Sequence, residues 1–392
     1  PGRVFELVLS GRGAARIWLS SSGQVGPEVT GTGMLMPRAR IGGTVGIPAS
    51  HPDLIAVGSS VNRNSWRDYE GQLVERSSLE VGTRSSFSSA GPNLRGWAKP
   101  DLLAPGGTLI AAMSAAADPR DTSNTASMFA ARGVCYSPDV ECFVVDDEHA
   151  VASGTSMAAP IVSGALALLL QRDPTLEQAK ARRLLRAGTR AVLGETAYGA
   201  WTGTGVLDVV GTLLAQDLDA GAPEVLPSAA ESRIALADTF AVPSGERPLR
   251  GVLALRDESG APAGGFDAKR LRFEVVGGVM RGLEVTSGLA AFELRADEGS
   301  GGELTVRAFF DDEALAEQSV PVGMDPLRAR LGVEALGGGC SLAAAGPGWS
   351  RMGGTGRGGA GPGGAGRAAG SGGLLFGGLI ALGCWVRRRA RA

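Results

Sequence analysis

The sequence predicts an α/β fold with a mostly parallel sheet and flanking helices, followed by an all-β sandwich and a flexible tail with a short membrane segment. Three changes of pattern along the 392 residues predict it. Up to about residue 215, short apolar strand candidates and glycine-rich turns alternate with helices, as in a mostly parallel sheet. From 231 to 323, alternating segments are separated by turn clusters, and no helix signal competes with them. From 337 to 372, Gly, Ala and Ser dominate, a composition that cannot bury a core. With 44% apolar and 20% charged residues, the chain is a folded protein long enough for two or three domains. A net charge of −2 gives no reason to expect nucleic-acid binding. The dense basic run, Arg387, Arg388, Arg389 and Arg391, closes the chain beside an apolar stretch and belongs to a membrane argument.

Leu54-Ile55-Ala56-Val57 and Leu109-Ile110-Ala111-Ala112 are strand candidates. Met157 to Leu170 shows no polar face, which predicts a helix buried on all sides. Asp173-Pro174 ends it. Thr175 then serves as N-cap for an amphipathic surface helix, Leu176 to Arg186, with Leu176, Ala179, Leu184 and Leu185 inward and its basic residues outward. A Pro/Ala/Asp-rich stretch near 214 to 230 reads as a linker. In the sandwich region the strand candidates include Arg250 to Leu255, Leu271 to Val275 and Glu303 to Phe309. The chain opens at Pro1 with neither Met nor a signal peptide, which predicts a sequence cut at its N-terminus. Cys135 and Cys142 flank a short loop that one local disulfide would close in an oxidising compartment; two unpaired thiols is the alternative.

The segment that carries chemistry is Gly154-Thr155-Ser156-Met157-Ala158-Ala159-Pro160, followed at once by the apolar helix. A nucleophilic hydroxyl gains from a helix N-terminus, where free N–H groups and the positive dipole end favour an oxyanion. Gly154 leaves room for a substrate backbone, and Pro160 is expected to fall in the first turn, where no N–H partner is lost. The segment resembles the G-T-S-M-A-x-P signature around the nucleophile of subtilisin-like serine proteases. Phe87 to Pro92, Lys99 to Gly106, Ile47 to Gly58 and Gly203 to Val209 resemble further blocks of that family, so the likeness covers about residues 44 to 214. It implies a partial subtilisin-like domain, peptide-bond hydrolysis with Ser156 as nucleophile, and the Ser156 N–H as one oxyanion donor.

The resemblance also implies an acid and a base well upstream of Ser156, in the order Asp, His, Ser. The two histidines, His51 and His149, lie in neither expected context, and both read as ordinary loop residues. The family's oxyanion asparagine is also missing from its place, since Asn62, Asn64, Asn93 and Asn124 all follow the Ile47 strand. Two readings follow: loss of the N-terminal half, favoured by the Pro1 start, or a natural pseudoenzyme. Val4 to Leu9 and Ala15 to Leu19 read as paired strands, resembling a β-rich insertion that larger members carry at this point. Ile161 stands where the family commonly has His.

Leu255 to Pro262 and the alternating segments around it resemble bacterial immunoglobulin-like domains, read either as a spacer or as a module for substrate or glycan adhesion. The end of the chain combines Gly337-Gly338-Gly339-Cys340-Ser341, a Gly/Ala-rich spacer, and Leu374 to Val386 with the arginines behind it. That arrangement resembles a myxobacterial-type C-terminal sorting signal, on which Cys340 is the anchoring residue; a marginal membrane helix is the alternative. The domain reading is 1–43 insertion remnant, 44–214 catalytic part, 215–230 linker, 231–323 sandwich, 324–372 Gly/Ala-rich linker with the sorting Cys, and 373–392 apolar segment and basic tail. The function implied is an exported serine endopeptidase, anchored at the surface or membrane or released, and inactive as this chain alone. A catalytically dead scaffold or a surface adhesin is the alternative. The implied partners are a polypeptide substrate, the cell envelope and a sorting machinery, with no nucleic acid. No cofactor is required, and a structural calcium, common in the family, has no assignable ligands here.

Overall fold

The computed structural model describes residues 24–26, 33–35, 42–93, 96–118, 120, 143–194, 199–243, 248–297 and 302–323. All of them lie in one compact unit, Trp18–Pro326. Strands β1 (Gln24–Gly26) and β2 (Gly33–Leu35) pair in parallel. The strand readings over Val4 to Leu9 and Ala15 to Leu19 lie outside the described residues. Strand β3 (Val57–Val61) is followed by a hairpin of β4 (Ser65–Arg67) and β5 (Leu73–Glu75), and then by β6 (Leu102–Gly107), which pairs in parallel with β3. On the other side of β6, Val206 bridges Leu103 in parallel, so the centre of the module has the predicted parallel sense. Strands β7 (Leu109–Ala112) and β8 (His149–Ala152) form an antiparallel pair that leads into the helices.

Of the strand expected over Leu54 to Val57, only Val57 belongs to β3. The reason is a side chain: the Asp101 carboxylate accepts the Ala56 N–H at 2.8 Å, and the Asp101 N–H donates to the Ala56 carbonyl. The same carboxylate accepts from Lys99 Nζ at 2.8 Å and from Arg182 Nε at 2.7 Å. Lys99 and Asp101 are fully buried, and burial pushes the lysine ammonium below its ordinary value against the pull of Asp101. Further along β3, the Ser88 hydroxyl accepts the Ser59 N–H at 3.0 Å and the Ser85 and Ser59 hydroxyls pair at 2.9 Å. Ser88 of the Phe87 block and Ser85 just before it thus satisfy polar groups of β3 that would otherwise be buried without partners.

Helix α1 (Thr155–Arg172) buries Ala158, Val162, Ala165 and Leu169 against β3 and β6. This corrects the expectation of burial on every side. Ala159, Pro160, Ser163, Gly164, Ala167 and Leu168 are exposed, because no described element lies over that side of α1. Helix α2 (Gln178–Ala187) starts later than expected, with Glu177 as its cap and no side-chain cap bond. Thr175 is instead held in a turn by the Asp173 carboxylate, to which both its N–H and its hydroxyl donate. Leu184 and Leu185 face inward as expected, while Ala179 is exposed. The basic side of α2 is not wholly outward either, since Arg182 turns in to Asp101 and also donates to the Pro52 carbonyl.

Helix α3 (Val209–Asp219) occupies the start of the stretch read as a linker. The Asp208 carboxylate caps it by accepting the Gly211 N–H at 3.1 Å, and Gln216 Nε2 donates to the Leu169 carbonyl at 3.2 Å, which ties α3 to α1. The remaining strands are β9 (Arg233–Leu236), β10 (Leu249–Ala254), β11 (Leu271–Val276), β12 (Gly278–Thr286), β13 (Leu289–Ala296), β14 (Glu303–Phe310) and β15 (Glu313–Pro321). They form two antiparallel sheets, ordered β12-β13-β10-β9 and β11-β14-β15, around a common apolar core. The sandwich expected from the alternating segments is therefore present.

The hub at Asp101 makes the two acid–base deletions unequal. In Asp101→Asn, two cations lose their buried counter-ion, and the loss is expected to reach about 3–5 kcal/mol. In Lys99→Met, the carboxylate keeps Arg182 and the Ala56 N–H, and the loss is expected to be less than half as large. Urea unfolding of both variants checks the order.

Candidate active site

Strand β6 ends at the backbone that positions Ser156, the candidate nucleophile. The Gly106 carbonyl accepts the Gly154 N–H at 2.8 Å, and a Cβ on Gly106 would sit 2.6 Å from the Gly154 oxygen and 2.9 Å from the Ala158 Cβ. Gly106 is thus the glycine this turn cannot replace. Gly154 has extended backbone, with φ 161°, and a Cβ there would come no nearer than 3.3 Å to a neighbour, the Met157 sulfur. The role of Gly154 is to leave the approach open. From the other side, the Thr108 N–H donates to the Ser153 hydroxyl at 2.8 Å. Thr108 is fully buried at φ 58°, in the left-handed region that β-branched residues avoid, and its own hydroxyl has no partner among the described residues.

Helix α1 begins at Thr155, and its first turn winds from the Gly154 carbonyl, which accepts the N–H groups of Met157 at 3.0 Å and Ala158 at 3.3 Å. Ser156 is therefore the second residue of the helix. It is exposed, and among the described residues neither its N–H nor its hydroxyl has a hydrogen-bond partner. Thr155 and Met157 are half-buried beside it, and Ala158 packs into the core below. Pro160 is the sixth helical residue, so its missing N–H is the one that would have reached the Ser156 carbonyl. This corrects the expectation that Pro160 falls within the first turn. An exposed hydroxyl at the positive end of an 18-residue helix, with a free N–H beside it, is chemically suited to attack a carbonyl carbon and stabilise the resulting oxyanion.

Neither histidine is brought to Ser156. His51 lies in the exposed loop before β3 and faces Asp53 at 3.8 Å, at the opposite end of the parallel strands from Gly106. His149 opens β8 and bonds the Asp146 carboxylate at 2.8 Å. The extended strand separates it from Ser153 by roughly 10 Å or more. The Asp146 carboxyl is held below the usual range, first by the Glu148 N–H and then by His149. Asn93 is spent on structure, donating to the Ser50 carbonyl and accepting from the Trp97 N–H. Among the described residues, no three His, Cys, Asp or Glu side chains gather as a metal site. Cys135, Cys142, Cys340 and the apolar segment 374–386 lie outside the described residues. No described helix is long and apolar enough to cross a membrane.

A serine placed at a helix mouth by a strand-end glycine, on a partly parallel sheet, is the kind of turn from which a serine hydroxyl can act as a nucleophile. The chain belongs to the subtilase family, whose model matches residues 11–212. It is 31% identical to the serine protease AprX of Bacillus subtilis (strain 168) over 148 residues, which cover 37% of this chain and 27% of AprX. It is 28% identical to subtilisin of Bacillus pumilus over 166 residues, 42% of this chain and 39% of that protein. The chain thus spans well under half the length of these relatives. Among solved structures, the bacterial integrin-binding protein invasin matches 26% of this chain and 20% of its own at 23% identity, with a TM-score of 0.23 that supports no argument.

Gly106→Ala is expected to overpack the turn and cost about 1–3 kcal/mol, with a changed amide resonance for Ser156. Thr108→Asn places a residue tolerant of the left-handed region at that position and is expected to raise stability by about 1 kcal/mol. Urea midpoints and a two-dimensional amide spectrum check both.

Proposed function

We propose that this chain carries the nucleophile of a serine endopeptidase, and that Ser156 forms the acyl-enzyme. The observation that supports it is the exposed Ser156 hydroxyl on the first turn of α1 beside its own unbonded N–H. In this reading Ser156 Oγ attacks the scissile carbonyl carbon while a histidine, oriented by an aspartate, takes its proton. The oxyanion is held by the Ser156 N–H and an asparagine side chain. The histidine then protonates the leaving amine, and water hydrolyses the ester, returning the proton to Ser156. His51 and His149 are not that histidine, so the base, its aspartate and the asparagine come from polypeptide other than the described residues. The chemistry calls for no cofactor, and any calcium would be structural.

Export and attachment to the envelope through Cys340 and the 374–386 segment belong to the same proposal and rest on sequence alone. So does the reading of β9 to β15 as an immunoglobulin-like module. One observation favours a second reading, a catalytically inactive scaffold: neither of the chain's two histidines stands near Ser156.

A fluorophosphonate probe separates the two. The chain alone is expected to label no more than its Ser156→Ala variant. Together with whatever its gene encodes ahead of Pro1, it is expected to label at Ser156 and to lose the label in Ser156→Ala. A folded gene-length product that stays unlabelled overturns the peptidase reading in favour of the scaffold.

A further inference from the structure

In the sheet β12-β13-β10-β9, the strands β9 and β10 and the start of β13 are buried on both faces, whereas β12 is largely exposed. Ile234, Leu253, Phe292 and Leu294 point into the sandwich core, whereas Ala235, Val252, Ala254 and Leu289 share a second core with Leu184, Leu185, Ala187 and Ala215 of the α/β module. Across this seam, Arg256 is one of the largest fully buried side chains in the molecule. Its Nη2 donates to the Thr189 carbonyl of the α/β module at 2.6 Å, and its Nη1 donates to the Leu255 and Gly288 carbonyls of the sandwich at 2.9 and 2.8 Å. Two outlying contacts flank it. The Asp219 carboxylate accepts the Ser287 N–H at 3.2 Å, and the Arg250 guanidinium lies 3.7 Å from the centre of the Trp97 ring.

A spacer or a free adhesive domain needs only a tether. Burying a guanidinium is costly unless its donors are matched, and here one of the matching carbonyls belongs to the other module. We propose that the sandwich is a brace that folds as one cooperative unit with the nucleophile-bearing module, and that Arg256 is the positioning residue that joins them. The contact reaches toward the nucleophile through bonded neighbours. Thr189 Oγ1 donates to the Thr204 carbonyl at 2.6 Å, and Thr204 donates twice to the Asp101 carbonyl, through its N–H at 3.0 Å and its hydroxyl at 3.2 Å. Asp101 leads directly into β6, whose Gly106 holds Gly154. This proposal stands independently of whether Ser156 is catalytic.

Tryptophan placement makes the test direct. Trp66 and Trp201 lie in the α/β module, and residues 231–323 contain no Trp. The background is the full-length chain with Trp18, Trp97, Trp349 and Trp385 changed to Phe, which removes the Trp that the Arg250 guanidinium of the sandwich touches. Leu294→Ala damages the sandwich core on the face of β13 that points away from the seam. A single cooperative unit requires the urea midpoint read by Trp emission to fall together with that read by far-UV circular dichroism. A Trp midpoint left in place while the far-UV signal shifts overturns the proposal. Native-state hydrogen exchange on the unsubstituted chain tests the same coupling without a variant. The slowest amides of β13 and of α1 are expected to exchange with equal protection and equal urea dependence, and two separate plateaus would refute the coupling. Arg256→Met is expected to lower the Trp midpoint or split the transition in two, with Arg256→Lys restoring part of the loss. An Arg256→Met chain indistinguishable from the parent in both signals removes Arg256 from its assigned role.

Discussion

A single buried carboxylate organises the module that carries Ser156. Asp101 gathers the Ala56 N–H, the Lys99 ammonium and the Arg182 guanidinium at 2.7–2.8 Å, and so joins the entry of β3, the entry of β6 and the middle of α2. Ions this deep are stable only when every donor and acceptor is matched, so the geometry of three chain segments is fixed by one group. The register of β3 against β6 follows, and with it the position of Gly106 relative to Gly154. The turn that presents Ser156 is thus specified from below by electrostatics and from above by the absence of a single Cβ.

What was legible in the sequence is what short-range chemistry dictates. Gly154 to Pro160 announced a serine at a helix mouth because attack on a carbonyl needs a small, open, polar turn followed at once by a rigid helix. The sandwich strands were legible from their period of two. What escaped were features set by partners distant in sequence. Arg182 reads as a surface residue on its helix, and its counter-ion is 81 positions away. The hydrophobicity of α1 records what a helix could bury and says nothing about how many layers surround it, so its exposed face was not foreseeable. Helix α3 was hidden by an Ala/Asp-rich composition that also suits a loop, although Asp208 three residues before Gly211 was a usable cap signal. The left-handed Thr108 gives no sequence signal at all, since Thr is poorly suited to that conformation.

The sandwich shows how a pattern can be right in type and incomplete in consequence. Alternation predicts one dry face and one wet face. On β10 and β13, however, the residues between the core positions are also apolar or small: Val252, Ala254, Leu289 and Ala291. A strand apolar at every position is the mark of burial on both sides, and small alanines allow a helix to approach closely. The run from Gly251 to Leu255 held that information. It distinguishes a domain suspended on a linker from one built into its neighbour.

Pro160 has a consequence for the residue four positions before it. In an α-helix each interior residue is fastened by two ladder bonds, one through its N–H and one through its carbonyl. Ser156 has no residue four back within the helix to receive its N–H, and a proline four ahead that cannot donate to its carbonyl. Within α1 it is the residue that stands wholly outside the ladder. Among the described residues its N–H and carbonyl can therefore engage other groups without competing with a helical bond, while the Met157 N–H beside it, held by the Gly154 carbonyl, keeps the turn in place.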